Sequence, residues 1–371
     1  MSHPRAAAAL VALVFAAASA AVMHGPGERS HRIPDGVVSR FQAQSIASGR
    51  WIAPAPPEAE AFKLSMVMVR EGKRFGKDYP GFPMLLAPAE VVGVDWLVNP
   101  LLGGLLVAGT FFLGRALYDA ATGLAAAVVT ASSPMLLQLA TSYLNTLACG
   151  CLLLGAALAL LRARSPGSRR WAALGGFLFG WAVATRPFTG ALLLLPLSLL
   201  LATARPGRRF GSTCAFGVAA LPWGIGMLVW NVLLSGDPLT TPYQLWRPTN
   251  ELGFGETPHG TFGPGEAWKE TLGLVRRFGD RFVPLPLGGL LLVAVPLLGA
   301  RRAGRRGAGL AAAALVLVAG HSFYAGIGAV AAMIGGSRYY VEALPACAVL
   351  FACPLGALAA RGRAGRWLFA G

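Results

Sequence analysis

WLVNPLLGGLLVAGTFFLGRALYDAATGLAAAVVTASSPMLLQLATSYLNTLACGCLLLGAALALLRARSPGSRR, residues 96–170, decides how this chain folds. Three apolar runs, near 92–114, 119–139 and 143–161, are parted by LGRALYD and SYLNT and closed by an arginine-rich tail. Each is close to the roughly 20 residues that a helix needs to cross about 30 Å of hydrocarbon. Similar runs near 6–23, 171–185, 188–203, 211–234, 284–300, 307–333 and 340–360 bring the expected number of spans to about ten. The runs at 171–185 and 188–203 are short enough to be tilted or broken. Composition agrees: of 371 residues, 55% are hydrophobic and only 13% charged, with a mean hydropathy of +0.58. That excludes an ordinary soluble domain. The expected class is an all-α polytopic membrane protein.

The net charge of +16 resembles a nucleic-acid signal until the charges are sorted by side. With the amino terminus inside, the inner segments hold Arg5, Arg115, Arg162, Arg164, Arg169, Arg170, Arg205, Arg208, Arg209, Arg301, Arg302, Arg305, Arg306, Arg361, Arg363 and Arg366, against one acid, Asp119. The outer segments nearly cancel. The excess is therefore the positive-inside rule at work, and no aromatic-interleaved basic module suggests nucleic acid. The first segment also carries a leader-like site at Ala18, Ser19 and Ala20; cleaved or not, residue 24 onward is expected outside. Cys149, Cys151, Cys214, Cys347 and Cys353 lie in or beside apolar runs without histidines at ligand spacing, and read as small hydrophobes.

Two expected outer loops are long, about 24–91 and 235–283, so binding or chemistry is expected there. The first reads as two short, half-apolar, basic helices of the interfacial kind. One starts at Asp35; the other carries Phe62, Met66 and Val69, and Pro54, Pro56 and Pro57 part them. The whole chain, 1–371, is expected to be one membrane domain with no separate soluble domain. Polar residues gather at the outer ends of spans: Asp35, Lys77, Asp78, Tyr79, Asn145, Arg186, Arg338, Tyr339, Tyr340 and Glu342. Ion-coupled carriers instead place charges at mid-span, so a site at the outer rim is expected.

The order of motifs resembles a GT-C class membrane glycosyltransferase, in the branch of protein O-mannosyltransferases and aminoarabinose transferases (glycosyltransferase family 39-like). The carriers of the resemblance are Asp35 with FQAQSIASGRW and APAPP, KDYPGFPMLLAP, WLVNPLLG with LGRALYD, SPMLLQLATSYLNT, TRPFTGALLLLP, NVLLSGDPLTTPY and GSRYYVEALP. It implies transfer of a sugar from a polyprenyl-phosphate donor to an acceptor hydroxyl (of a glycan, lipid or protein), with inversion, at the outer face of a bacterial-type inner membrane, without a cofactor. Asp35 matches the catalytic base. Arg186, Lys77 and Arg338 are implied as ligands of the donor phosphate, and Tyr79, Tyr339, Tyr340, Glu58 and His259 as substrate contacts. Gly36 stands where many relatives have a second acid, which Glu58 or Glu60 would have to replace. One first-loop acid without a His or Asp cluster speaks against a tight divalent metal site.

The chemistry asks for these residue types independently. A hydroxyl is a poor nucleophile, and a carboxylate taking its proton contributes about 10² to 10⁴ in rate. A departing lipid phosphate carries its charge away and needs cations, for which the guanidinium fork is suited. Asp35 after Pro34 is also a good helix cap. The rival functions are a lipid-linked substrate transporter or flippase, and a non-catalytic relative that binds the carrier lipid.

Overall fold

The computed structural model describes residues 3–25, 33–58, 61, 63–164, 168–202, 206–248, 252–257, 260–283, 292, 294–297, 300–325 and 338–361. Helix α1 (His3–His24) leads into the first loop, which holds α2 (Pro34–Ala47), strands β1 (Ala53–Pro54), β2 (Val67–Arg70) and β3 (Lys73–Gly76), and α3 (Gly81–Val91). A 3-10 turn, Asp95–Leu97, opens α4 (Val98–Leu117), followed by α5 (Ala120–Ala131), α6 (Pro134–Ala140), α7 (Thr146–Arg162), α8 (Ser168–Thr185), α9 (Pro187–Ala202) and α10 (Pro206–Ser235). The second long loop contains α11 (Pro242–Trp246), the hairpin β4 (Gly255–Thr257) and β5 (Gly260–Phe262), and α12 (Pro264–Phe282). Then come α13 (Ala300–His321), a 3-10 helix (Arg338–Ala343) and α14 (Leu344–Arg361).

This is an all-α membrane architecture, as expected. Among the described residues, four helices are long and apolar enough to span: His3–His24, Asp95–Leu117, Arg209–Ser235 and Arg301–His321. α5 and α6 form a further pair bent by 64°, at the point where Ser132 and Ser133 precede Pro134, whose ring starts a helix more readily than it continues one. The apolar α7 and α9 are shorter. Most of the run expected at 284–300 lies outside the described residues.

α7 is the hub. Its Leu147, Ala148 and Leu154 join a core with α1, α4, α5, α6 and α14, while its Cys149, Leu153, Ala156 and Leu160 join another with α8, α9, α10 and α13. Small residues let these helices approach closely, since apolar lipid gives little drive for burying leucines. The tightest case is α8 on α10, where a Cβ at Gly176 would stand 2.0 Å from the Phe216 carbonyl oxygen. Gly176→Ala is accordingly expected to cost about 1–3 kcal/mol of overpacking, read as a lowered melting temperature in detergent. Gly224→Ala on α10, with nothing within 4 Å, is expected to be neutral; equal effects would refute close packing as the cause.

The second interfacial helix expected in the first loop is instead a hairpin. β3 is the centre of a three-stranded antiparallel sheet in the order β1-β3-β2. Glu71 (φ 49°) and Gly72 (φ 72°) make its two-residue turn, with both residues in the left-handed region that matches strand twist. Val67 and Val69 are β-branched and stiff at χ1, which favours the strand. Lys73 Nζ donates to the Leu233 carbonyl at 2.9 Å, tying the sheet to α10. Behind the turn, Phe75 and Tyr79 pack with Trp230 and Leu234. β3 also lies tight on α2, because a Cβ at Gly76 would come within 2.4 Å of Val38 Cγ1. The chain leaving β3 is thereby delivered to the first turn of α2.

At the opposite end of the bundle, Asp119 caps α5 by accepting from the Thr122 N–H at 2.7 Å and pairs with Arg302. The Tyr118 hydroxyl donates to the Ala303 carbonyl at 3.1 Å. The one acid of the arginine-rich side thus has a structural task.

Candidate active site

Pro34 occupies the first turn of α2 and Ile33, with extended backbone, is its N-cap without a side-chain cap bond. Asp35 is therefore not the cap that its sequence setting suggests. Proline at the first helical position moves it one step inward, and its carboxylate turns to other partners. Asp35 Oδ1 lies 3.0 Å from Lys77 Nζ. Nη1 and Nη2 of Arg338 each donate to its Oδ2 at 3.2 Å. Lys77 also donates to Asp78 Oδ1 at 3.1 Å, and Gln42 on α2 fixes that loop by donating to the Asp78 carbonyl at 3.1 Å.

Charge and burial compete at Asp35. Burial alone pushes the carboxyl up, but Lys77 and Arg338 outweigh it and bring it down to about 2. At Lys77, burial works against the ammonium, and Asp78 and Asp35 together hold it well above the usual lysine value. Asp35 and Lys77 are therefore both held in their charged forms.

Aromatic rings wall it. The Lys77 ammonium lies 5.7 Å from the ring centre of Tyr243 and 5.6 Å from that of Trp246, within cation–π range. Both rings come from α11, whose start is fixed by a Thr241–Gln244 capping box. Arg338 lies 5.2 Å from the Tyr339 ring centre and Arg186 5.6 Å from the same ring. Arg186 Nη1 in turn donates to Glu342 Oε1 at 2.7 Å. The Glu342 side chain is fully buried, and among the described residues its Oε2 has no hydrogen-bond partner. Two ion clusters are thus joined through one tyrosine, and His321 at the end of α13 packs on that tyrosine at 5.6 Å.

The structure brings Asp35, Lys77, Arg338, Tyr339 and Arg186 to one rim. Tyr79 is directed elsewhere: its hydroxyl donates to Asn231 Oδ1 at 2.9 Å. Tyr340 is 1% exposed and packs on Phe278 and His321. Glu58 is exposed in the turn after β1, and among the described residues no contact joins it to the cluster. His259 lies outside the described residues. The second carboxylate near Asp35 is Asp78, reached through Lys77 and not through a neighbour in sequence. Trp246, Tyr243 and His321 escaped sequence reading; the TPYQ cap before the first two was the available signal.

Gly36 has a local reason. A Cβ there would stand 3.2 Å from Tyr143 Cβ, so a second acid at 36 requires Tyr143 to shift by a few tenths of an ångström. Gly36→Asp is expected to lower the melting temperature and to leave activity no higher than in the parent chain. Higher activity with unchanged stability would refute this packing account.

An apolar multi-helix bundle thus carries a carboxylate and three cations at one rim, and its fold is shared with solved membrane proteins. Residues 94–230 match the family model described as dolichyl-phosphate-mannose-protein mannosyltransferase. The fold is similar to that of ArnT from Cupriavidus metallidurans in the apo state, with a TM-score of 0.60 at 15% identity over 96% of this chain and 60% of that one. The same enzyme bound to undecaprenyl phosphate gives 0.53 at 18% identity over 96% of this chain and 60% of that one. The archaeal oligosaccharyltransferase AglB from Archaeoglobus fulgidus, in complex with an inhibitory peptide and a dolichol-phosphate, gives 0.50 at 14% identity over 98% of this chain and 52% of that one. The chain spans about three fifths of the length of ArnT. No sequence match is found among the curated proteins.

Proposed function

We propose that the chain transfers a sugar from a polyprenyl-phosphate carrier to an acceptor hydroxyl, with inversion, at the extracytoplasmic face of a cell membrane. The observation that carries this reading is the Asp35 carboxylate held between Lys77 and Arg338 at the rim of an apolar bundle. The arginines at the opposite bundle ends support this orientation. That ArnT has been solved with undecaprenyl phosphate supports a lipid phosphate as the donor's carrier.

The donor phosphate enters between Lys77 and Arg338, with Arg186 behind Tyr339 adding positive potential. Its oxygens compete with Asp35 for both cations. Asp35, relieved of part of its pairing, becomes basic enough to take the proton of the acceptor hydroxyl. The acceptor oxygen bonds to the anomeric carbon as the carbon–phosphate-oxygen bond breaks on the far side. The polyprenyl phosphate leaves with the negative charge, and the cations stabilise it. Trp246, Tyr243 and Tyr339 limit water around the reacting centre.

A pH effect of defined sign follows. In the free protein Asp35 is held near 2, so the acid limb of kcat/KM is expected below about 4, the ordinary carboxylate value. With donor bound the cations turn to phosphate, so the acid limb of kcat is expected at higher pH. Coincident limbs would remove the competition step.

The low proton affinity of Asp35 also favours a second reading, a carrier-lipid-binding protein without turnover. Incubating purified protein with a panel of polyprenyl-phosphate sugars and acceptors separates the two. Released polyprenyl phosphate supports transfer; binding without release supports the second reading. Movement of intact donor across a vesicle bilayer would indicate a flippase.

A further inference from the structure

A cavity of about 410 Å³ lies between α4, α7, α9, α13 and α14, with walls that include Leu113, Leu154, Leu197 and Leu310; Asp35, Lys77 and Arg338 are not among its lining residues. Its polar groups are divided by sign. Arg164, Arg305 and Arg306 line it, and so does Glu342. The helix directions put these at opposite ends. Arg164 follows the last residue of α7, whose first turn, at Thr146, lies toward the rim, and Arg305 and Arg306 are near the start of α13, whose last residue, His321, packs on Tyr339. At 1.5 Å per residue, Arg305 and His321 are about 24 Å apart along α13. Arg306 Nη1 donates to the Leu117 carbonyl, and Arg164 also has a partner within the chain.

We propose that this cavity takes an acyl chain of an anionic phospholipid, with the phosphate seated on Arg164, Arg305 and Arg306. The volume is that of a ligand pocket, about 300 to 1,000 Å³, with apolar walls and few polar groups. Basic pockets between membrane helices on the arginine-rich side suit anionic headgroups. Charge complementarity selects the orientation: an anion is attracted at the arginine end, whereas at the other end Glu342 is already neutralised by Arg186 at 2.7 Å and leaves no net positive charge. A polyprenyl phosphate reaching Asp35 would bring its charge to the wrong end of this cavity. The occupant is therefore a membrane phospholipid entering from the leaflet opposite the proposed active site. This site stands apart from the transfer reaction, and neither reading depends on the other.

The test uses the full chain purified in detergent, with native mass spectrometry and melting curves. The lipids are phosphatidylglycerol, phosphatidylcholine of the same acyl chains, and polyprenyl phosphate; inorganic phosphate is a fourth arm. Retained phosphatidylglycerol is expected, with affinity about thirtyfold lower in Arg305→Gln/Arg306→Gln, from about 1 kcal/mol per arginine. Gly309→Leu fills the cavity, since Gly309 lines it and has nothing within 4 Å of its Cβ position. It is expected to lose phosphatidylglycerol while melting like the parent chain without lipid. Equal retention of phosphatidylcholine would overturn the proposal. So would stronger retention of polyprenyl phosphate, lost with the same substitutions, or protection by inorganic phosphate alone. Unchanged phosphatidylglycerol binding in both variants would do the same.

Discussion

Asp35→Asn is expected to lower sugar transfer by about 10² to 10⁴ in rate, the usual contribution of a general base, while the protein inserts and melts close to the parent chain. Asparagine keeps the size and can accept one hydrogen bond from Arg338, but it takes no proton. The remaining charges keep partners, since Lys77 still has Asp78 at 3.1 Å and Arg338 still lies 5.2 Å from the ring centre of Tyr339. The loss therefore belongs to chemistry and is expected in kcat. Asp35→Asn with full turnover would remove the base from the mechanism.

The second large effect concerns stability. Arg186 and Glu342 form an ion pair at 2.7 Å with side chains 13% and 0% exposed. Removing one partner of such a pair strands the other charge and costs about 3–5 kcal/mol, whereas replacing both with apolar residues is often neutral. Arg186→Met is expected to lower stability by that amount. Arg186→Met/Glu342→Leu is expected to recover most of it, as read by unfolding in detergent. A neutral single variant would mean that Glu342 does not depend on Arg186, and would leave Arg186 available to the donor phosphate alone. A large loss of stability in the single variant means that donor binding by Arg186 has to be measured with Arg186→Lys, which keeps the charge.

Helix content and the arginine-rich ends were legible because both are local. A span needs only consecutive apolar residues, and loop charge needs only counting along the chain. The site was legible in part. Asp35, Lys77, Arg338 and Arg186 each stand in a motif that resembles a known family, and the structure gathers them at one rim. Their contacts were not legible, because Asp35 and Arg338 are 303 positions apart and no periodicity links them. The hairpin at 67–76 was misread as a helix because Phe62, Met66 and Val69 also fit a helical stripe. The positive φ of Glu71 and Gly72 decides between the two, and a Glu-Gly pair signals it less clearly than Asn-Gly. Tyr79 and Tyr340 look like rim aromatics in sequence, yet Asn231 and Phe278 draw them into packing. Asp78 escaped attention as the second carboxylate because it reaches Asp35 only through the Lys77 ammonium.

The central claim is that Asp35 and the donor phosphate share the same two cations. It is tested most directly by the affinity of purified parent and Asp35→Asn protein for polyprenyl phosphate, measured beside turnover. The account requires Asp35→Asn to lose transfer yet bind polyprenyl phosphate at least as tightly as the parent, because the competing carboxylate is gone. Arg338→Gln should bind it more weakly. Markedly weaker binding by Asp35→Asn, with turnover per bound donor unchanged, would contradict the account.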